Sequence, residues 1–427
     1  MNKRTKKIII LTIIGVFLIA VITILSVPTI HNTISWRWDQ LKVQIFYALN
    51  PPEEAVFSPA TPVQNSSPVP TLTPTTIPAT PTSEPVAITP TPVPTATPLP
   101  QTVNLTGVKY EDQHGLWNYC APANLAMALS FWGWEGDRLD TGVYLKPFEK
   151  DKNVMPYEMA NYVLDETQYK VVVRNGGNLS LLKAILANGF PVIVEKGVII
   201  KDLTGKDSWM GHYTVVTGFD DSKGEFITQD SYFSPDYPVS YSELVSEWRS
   251  FNYTFIVIYP PALEARLYDA LGDFTDETTS DRIAYDLANQ EIYSTSGTDQ
   301  YFAWFNRGTN MVYLQDYAGA AASFDEAFQL YATLPETNRP WRMMWYQTGP
   351  YFAYYYAGRY QDVINLATFT IDRANEPYLE ESYYWRAKAS VMAGQTQSAI
   401  TDLQESLRLH PGFQPSLDLA AQLGIQF

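Results

Sequence analysis

The sequence holds only one cysteine and four histidines in 427 residues. A single cysteine excludes an intramolecular disulfide, so Cys120 has to be explained as a free thiol. Four scattered histidines, with no HExxH motif, make a poor metal site, and no glycine-rich loop follows a strand to cradle a phosphate. The sequence therefore predicts neither a bound metal nor another cofactor.

Positive charge is also scarce in this chain. It has 29 lysines and arginines against 45 aspartates and glutamates, which gives a formal net charge of −16. Binding to a nucleic-acid backbone calls for a basic stripe, and none is visible, so nucleic acid is not an expected partner. We interpret the acidic surface as a source of solubility. An apolar content of 46% is enough to build real cores in two or three domains.

One long hydrophobic run is present, at residues 8–27, and it spans 20 residues without a charge. As a transmembrane helix it would cover about 30 Å, the thickness of a bilayer's hydrocarbon core. The tail at residues 1–7 carries four lysines and arginines, so the N-terminus should stay cytoplasmic and the rest should be extracytoplasmic, at the cell surface. A cleaved signal peptide has a shorter apolar core and an A-x-A-like site, so we favour an uncleaved single-pass membrane anchor.

Two segments separate this run from the globular part. Residues 28–50 contain several aromatics, and we expect either a short helix in the membrane interface or the solvated foot of the anchor. Residues 51–102 hold half of the chain's 30 prolines and many threonines, so this linker should be disordered and extended. A reach on the order of 150 Å would make it a stalk that holds the globular part away from the membrane.

Cys120 stands at the start of a predicted helix. Pro122 suits a first helical turn, and residues 123–132 combine good helix formers with an apolar stripe. At a helix N-terminus, the unpaired backbone N–H groups and the positive end of the dipole favour the thiolate. The alternative is a small buried residue that packs this helix against its neighbour.

A nucleophilic thiol needs a base, and two histidines qualify. His31 lies beside the membrane segment and His410 lies in a helical tail, so His114 and His212 remain. His212 borders a predicted strand at residues 213–219, whereas His114 lies in a glycine-containing loop and should be exposed. Because a strand holds a base more rigidly than a loop, we prefer His212.

A carboxylate is expected beside this histidine. Asp230 ends the strand that follows a turn at residues 220–224, and a hairpin at that turn would bring the strands of His212 and Asp230 side by side. The carboxylate would then orient the imidazole and stabilise its charged form.

These motifs resemble those of papain-like cysteine peptidases of the C39-like group. That group has a glutamine shortly before C-G-P-A, then G-H-Y-V-V-V-x-G-Y, then a strand ending in N-D-P. This chain has Q-H-G-L-W-N-Y-C-A-P-A, G-H-Y-T-V-V-T-G-F and T-Q-D-S, within residues 105–260. The resemblance implies four roles: nucleophile for Cys120, general base and acid for His212, orienting carboxylate for Asp230, and oxyanion-hole donor for Gln113 beside the Cys120 backbone N–H.

The chain departs from the group's pattern at three places. Ala121 replaces the usual glycine, Gln113 is one residue farther from Cys120 than in many papain-like enzymes, and Ser231 replaces the proline after the aspartate. All three changes bear on the geometry of the oxyanion site.

Residues 103–261 show helices first and antiparallel strands afterwards, which is an α+β order. The expected helices cover residues 122–132, 156–164, 179–188 and 241–248, and the expected strands cover residues 169–174, 190–195, 213–219 and 253–259. A loop that holds Gly133, Gly136 and Gly142 is expected after the first helix. This order sets a helix N-terminus against a sheet edge, as a thiolate–imidazole site requires.

Residues 262–427 form a separate all-α domain in this reading. Residues 303–335 resemble a tetratricopeptide (TPR) repeat, with weaker copies at residues 345–377 and 383–411. The concave face of such repeats usually binds peptide segments, so a protein partner in this groove is expected. The tyrosine-rich segment 351–356 either lines the groove or packs against the peptidase-like domain.

Three functions fit this organisation. The first is a hydrolase that uses a Cys-His-Asp triad on peptide or amide bonds, with the repeats presenting a protein substrate. The second is a thiol acyltransferase, in which an amine resolves the same acyl-enzyme. The third is a non-catalytic binding scaffold. The presence of all four candidate groups favours the hydrolase.

Overall fold

The computed structural model describes residues 5, 12, 28–60, 98–202 and 204–427. Apart from Thr12, the predicted membrane span lies outside these residues, as do positions 61–97 of the predicted linker. Within the described parts of the chain, none of the helices is both long and apolar enough to cross a membrane. We call residues 98–261 the sheet domain and residues 262–427 the helical region.

The described elements follow in a simple order along the chain. The strands are β1 (Thr102–Asn104), β2 (Lys170–Arg174), β3 (Val192–Lys201), β4 (Asp207–Asp220), β5 (Glu225–Gln229), β6 (Tyr237–Ser240) and β7 (Phe255–Tyr259). The helices up to the end of the sheet domain are α1 (Pro28–Leu49), α2 (Cys120–Ser130), α3 (Arg138–Leu145), α4 (Pro156–Glu166), α5 (Leu179–Ala187) and α6 (Tyr241–Arg249). Those of the helical region are α7 (Glu264–Leu271), α8 (Glu277–Ser294), α9 (Gly297–Tyr313), α10 (Tyr317–Thr333), α11 (Met343–Tyr346), α12 (Gly349–Tyr356), α13 (Tyr360–Arg373), α14 (Glu380–Met392), α15 (Thr396–Leu409) and α16 (Gln414–Gln422).

The strands form one antiparallel sheet in the order β2-β7-β3-β4-β5-β6, and β1 pairs with the far end of β4. The long β3–β4 hairpin places Lys196 opposite His212. Strand β5 pairs with β4 only from Val215 onward, so the first half of β4 has no β5 partner at this edge. The N-terminus of α2 lies against this open edge, where Asn124 Nδ2 donates to the Tyr213 carbonyl at 2.7 Å.

Helices cover both faces of the sheet, and side-chain alternation assigns each residue to a face. On β3, Val192 and Val194 pack in one core with α5 and α6. Ile193, between them, packs with α2 and α4 in the other core. Because both faces of the sheet are buried, β7 and the first residues of β3 are apolar without interruption, which is why these segments were predictable as strands.

Each predicted helix and strand of the sheet domain is present, but β3 ends six residues later and β4 begins six residues earlier than predicted. Strands β1 and β6 and helix α3 were not predicted. We expected a loop over the glycine-rich stretch after α2, but residues 138–145 form α3. Asp137 and Asp140 close a capping box at its start, which satisfies backbone N–H groups that would otherwise lack partners. Position 142 has room only for a glycine, because a Cβ there would collide with the Tyr119 side chain.

The helical region consists mainly of antiparallel pairs. Helix α9 packs on α10, α12 on α13, and α14 on α15. Tyr351 and Tyr354 are fully buried inside this region, where the Tyr354 hydroxyl donates to Asp325 at 2.9 Å. The segment 351–356 therefore mostly builds the helical core, and only Phe352 and Tyr356 keep substantial exposure, at 37% and 49%.

The sheet domain and the helical region share a continuous interface. Trp209 and Phe251 from the sheet domain lie in the same apolar cluster as Phe302 from the helical region. Arg342 donates to the Trp209 carbonyl at 3.2 Å and forms an ion pair with Asp202 at 3.2 Å. These contacts fix the helical region beside the strand that carries His212.

The segment before position 61 differs from the expectation. We predicted a disordered linker from residue 51, but residues 51–60 are packed on the helical region, with Phe57 only 7% exposed and its ring centroid 5.1 Å from that of Phe328. Composition averaged over the whole proline-rich window concealed this one aromatic anchor.

Candidate active site

Cys120 is the first residue of α2 and is half-buried. Asn124, one turn later, donates through Nδ2 to the Cys120 carbonyl at 2.8 Å and to the Tyr213 carbonyl at 2.7 Å. Asn124 thus attaches the first turn of α2 to β4, and the apolar face of the helix is buried behind it. The thiol is therefore held at a fixed helix N-terminus, where the dipole favours a negative charge.

His212 is brought to this thiol, as predicted. Its Nε2 lies 2.8 Å from Asp230 Oδ1, and its side chain is close enough to that of Cys120 for the thiol to help raise the pKa of the imidazole. Because Nε2 faces the carboxylate, the nitrogen left for the thiol is Nδ1. The imidazole is 2% exposed, so the contact is shielded from solvent.

Asp230 is fully buried and its carboxylate is strongly supported. Oδ1 also accepts from the backbone N–H of Tyr232 at 3.0 Å and of Phe233 at 3.2 Å. The ammonium of Lys196 lies 3.7 Å from Oδ2. Burial alone would raise the pKa of Asp230, but His212, Lys196 and the backbone donors hold it below its usual range.

Asp230 in turn raises the pKa of His212. Burial alone would lower the pKa of His212, but the charge and hydrogen bond of Asp230, together with Cys120, raise it to about 9. At neutral pH the imidazole is therefore protonated.

Gln113 belongs to a second network, which the sequence did not reveal. Its Oε1 accepts from Ser231 Oγ at 2.8 Å, and Ser231 Oγ accepts from Asn124 Nδ2 at 2.9 Å. The Gln113 backbone N–H also donates to the Ser231 carbonyl at 2.9 Å. Because the amide oxygen accepts from Ser231, the side-chain NH₂ of Gln113 points away from that hydroxyl.

The alternative base, His114, is not brought to the thiol. It is exposed, and its Nδ1 lies 2.6 Å from Asp112 Oδ1. Its ring lies 5.0 Å from that of Tyr232, whose ring also lies 6.4 Å from that of His212. His114 therefore lies on the outer side of Tyr232, on the approach to the site.

Two buried lysines near the site were also missed. Lys196 is 1% exposed and donates to Glu247 at 2.9 Å. The only sign of it in the sequence was the presence of a lysine next to apolar strand residues. Lys146 donates to the carbonyl groups of Trp117 and Asp151, and burial lowers its pKa to about 8. It holds the loop that leads into Cys120.

The helical region also reaches the site. Tyr346 from α11 is close enough that a Cβ on Gly211 would lie 3.0 Å from its ring. Gly211 directly precedes His212, and a Cβ there would also lie 2.8 Å from the Phe251 ring, so a side chain at this position would meet both rings.

Comparison with known proteins agrees with this geometry. Residues 105–256, just over a third of the chain, match the Peptidase_C39 like family. This match includes the four predicted site residues and supports a papain-like peptidase domain here. None of the curated proteins searched matches the chain.

Two solved structures show a weaker similarity. One is described as a C39-like peptidase from Bacillus anthracis, with 17% identity, a TM-score of 0.31, and coverage of 37% of this chain and 98% of that chain. The other is xylellain, a cysteine protease from Xylella fastidiosa, with 16% identity, a TM-score of 0.27, and coverage of 38% and 87%.

Proposed function

We propose that this chain is a membrane-anchored, extracytoplasmic cysteine peptidase-like hydrolase that acts on peptide or amide bonds. The observation that carries the proposal is the contact series from Cys120 through His212 to Asp230, built where a helix N-terminus meets an open strand edge. A thiol, an imidazole and a buried carboxylate in this order form the arrangement of a nucleophile, a base and an orienting group.

Each group would act at a defined step. The Cys120 thiolate attacks the carbonyl carbon, and the developing oxyanion is stabilised by the Cys120 backbone N–H and the Gln113 side-chain amide. His212, charged at neutral pH, donates its proton to the leaving amine and then takes a proton from the water that cleaves the thioester. Asp230 keeps the ring oriented and stabilises its charge.

We also propose that the helical pairs are TPR-like and bind a protein substrate or partner. When the three predicted repeats are aligned, Ala320, Val363 and Ala399 fall at the same position. All three side chains are fully buried. Two neighbouring cavities of about 600 and 540 Å³ lie between this region and the sheet domain, and Tyr157, Asn161 and Phe352 line both. A peptide segment held there would lie beside the domain that carries the thiol.

Removal of the Cys120 thiol tests the proposed hydrolase activity. Full-length protein and its Cys120→Ala variant are compared on a fluorogenic peptide library and on intact proteins. We expect cleavage by the first and none by the second, with His114→Ala as a matched control that keeps activity. A free acid as the product, rather than a new amide, distinguishes hydrolysis from acyl transfer. Equal cleavage by the Cys120→Ala variant, or none by either protein, would reject the proposal.

A further inference from the structure

Helix α1 carries an exposed apolar stripe. Its members are Trp38, Leu41, Ile45 and Leu49, with exposures of 58%, 43%, 53% and 76%. At about 100° per residue these positions fall within an arc of about 80° on the helix surface. Single exposed apolar residues are ordinary, but four in register along three turns form a continuous surface that is suited to a lipid interface.

The opposite face of the same helix is already occupied. Val43 and Tyr47 are buried, and the Tyr47 ring lies 5.4 Å from that of Trp341 in the helical region. Asp39 forms an ion pair with Lys150 of the sheet domain at 2.8 Å. The stripe therefore points away from a folded body to which its helix is attached.

The sequence before α1 and the charged residues beside the stripe indicate which surface the stripe contacts. The apolar run at residues 8–27 ends directly before Pro28, where α1 begins. Arg37 and Lys42, both exposed, lie on the two sides of the stripe, where cationic side chains would meet lipid headgroups. A helix that follows a membrane span so closely starts at the bilayer surface.

The far end of this segment is also attached to the folded body. The Ala60 N–H donates to Asp362 of α13 at 2.8 Å, and the Asp221 N–H donates to the Gln101 carbonyl at 2.9 Å. Residues 61–97 therefore connect two points on one body. Their length does not set the distance between that body and α1.

We infer that the stripe of α1 lies on the lipid surface of the membrane that residues 8–27 enter, so that the peptidase-like domain is held against the bilayer. This rests on the membrane anchor in the proposed function, not on its chemistry. It replaces the expected stalk with a direct attachment, and the substrate class that follows is a protein segment exposed close to the membrane surface.

Lipid contact is tested by site-directed labelling of the full-length chain. In a Cys120→Ser background, Leu41→Cys or Ile45→Cys is labelled with an environment-sensitive fluorophore and reconstituted into phosphatidylcholine–phosphatidylglycerol vesicles. The matched control is Tyr293→Cys, at a position that is 89% exposed but lies on α8. We expect brominated acyl chains to remove most of the emission at positions 41 and 45, and none at position 293.

Other outcomes overturn the inference. Emission at positions 41 and 45 that brominated lipid does not quench, in protein retained by the vesicles, means that the stripe faces solvent or a protein. Self-quenching that rises with protein density identifies a second copy of the chain as the occupant. Release of the protein by alkaline carbonate shows instead that the anchor itself is absent, whatever the peptidase activity.

A second measurement separates attachment from a stalk. A donor at Asp372→Cys, close to the point where the Asn375 backbone N–H meets the Tyr47 hydroxyl, reports energy transfer to labelled lipid. Duplicating residues 61–97 would lengthen a stalk by on the order of 100 Å. We expect equal transfer with one or two copies of this segment, whereas reduced transfer with two copies, or no transfer with either, contradicts the inference.

Discussion

At the residue scale, the site depends on two hydrogen-bond networks that meet at the first turn of α2. One connects the thiol to His212, Asp230 and, behind them, Lys196. The other connects Gln113, Ser231 and Asn124. The first network keeps His212 protonated, and the second fixes the orientation of the Gln113 side-chain amide.

The charge network predicts a pH dependence. The folded-state pKa of His212 is raised to about 9 from an ordinary 6.5, so the charged imidazole stabilises the site fully below pH 6.5, and this stabilisation is lost as the pH rises through about 9. Activity should therefore fall on an alkaline limb near pH 9. Asp230→Asn should move that limb to lower pH by at least about one unit.

The pH profile of kcat/KM for both proteins measures this shift. Asp207→Asn, a change at an exposed residue on the same strand as His212, is the control and should leave the limb in place. An alkaline limb that does not move in Asp230→Asn would mean that the carboxylate does not hold the imidazole in its charged form.

The second network predicts a positioning role for Ser231. Ser231→Ala removes the donor to Gln113 Oε1, so the amide loses its fixed orientation and kcat should fall by between about twofold and tenfold with KM nearly unchanged. The rate of Cys120 alkylation should stay the same, because the thiol and His212 are untouched. Ser231→Thr retains the hydroxyl and should restore kcat; failure of this rescue, or slower alkylation in Ser231→Ala, would indicate a structural role only.

At the element scale, the sequence predicted most of the sheet domain because its elements have clear local signals. Strand β7 is a short apolar run that ends before Pro260, the first three residues of β3 are apolar, and α2 has a proline in its first turn. Helix α3 was missed because its start depends on the Asp137 and Asp140 capping box inside a glycine-rich stretch.

The main site residues were predictable because they occur in recognisable motifs, but their supports were not. Ser231 contacts a side chain 118 residues away, and Asn124 contacts Ser231 across 107 residues. No local pattern reports such contacts. Ser231 entered the sequence analysis only as a departure from the C39-like pattern, and the structure gives that departure a hydrogen-bonding partner.

Residues 51–60 give an element-scale prediction. Phe57 packs against Phe328 and Phe369, with ring-centroid distances of 5.1 and 6.0 Å. Phe57→Ala should release this segment from the helical region, with about 3 kcal/mol of local packing lost. Limited proteolysis should then cut within residues 50–60 much faster than in the parent protein. Phe427→Ala, at an exposed phenylalanine, is the control; equal cutting in both variants would show that Phe57 does not hold the segment.

At the scale of the whole molecule, the sheet domain and the helical region meet over a group of buried carboxyls. Burial and mutual repulsion raise the pKa of Glu158 to about 7 and that of Glu381 well above its usual range. Glu158 belongs to α4 and Glu381 to α14, so this charge lies at the joint between the two parts.

This joint should weaken as the pH rises. A carboxyl whose folded-state pKa is raised stabilises the fold when protonated, and that stabilisation is lost between the ordinary 4.5 and the folded-state value, here about 7 for Glu158. Glu381→Gln removes one repelling charge and should therefore raise the thermal midpoint at pH 8 while changing little at pH 5. Glu326→Gln, at an exposed residue, serves as the control; no gain at pH 8 in Glu381→Gln would contradict this account.

The central claim is that Cys120 and His212 form an activated pair, and alkylation of the single thiol tests it most directly. Full-length protein and its His212→Ala variant are treated with a limiting thiol-alkylating reagent from pH 4 to 9. The account predicts fast alkylation well below the free-thiol pKa of about 8.5 in the parent protein, and its collapse in the variant. Slow alkylation that rises only near pH 8.5, and equally in both proteins, would leave Cys120 as a structural cysteine in a binding scaffold.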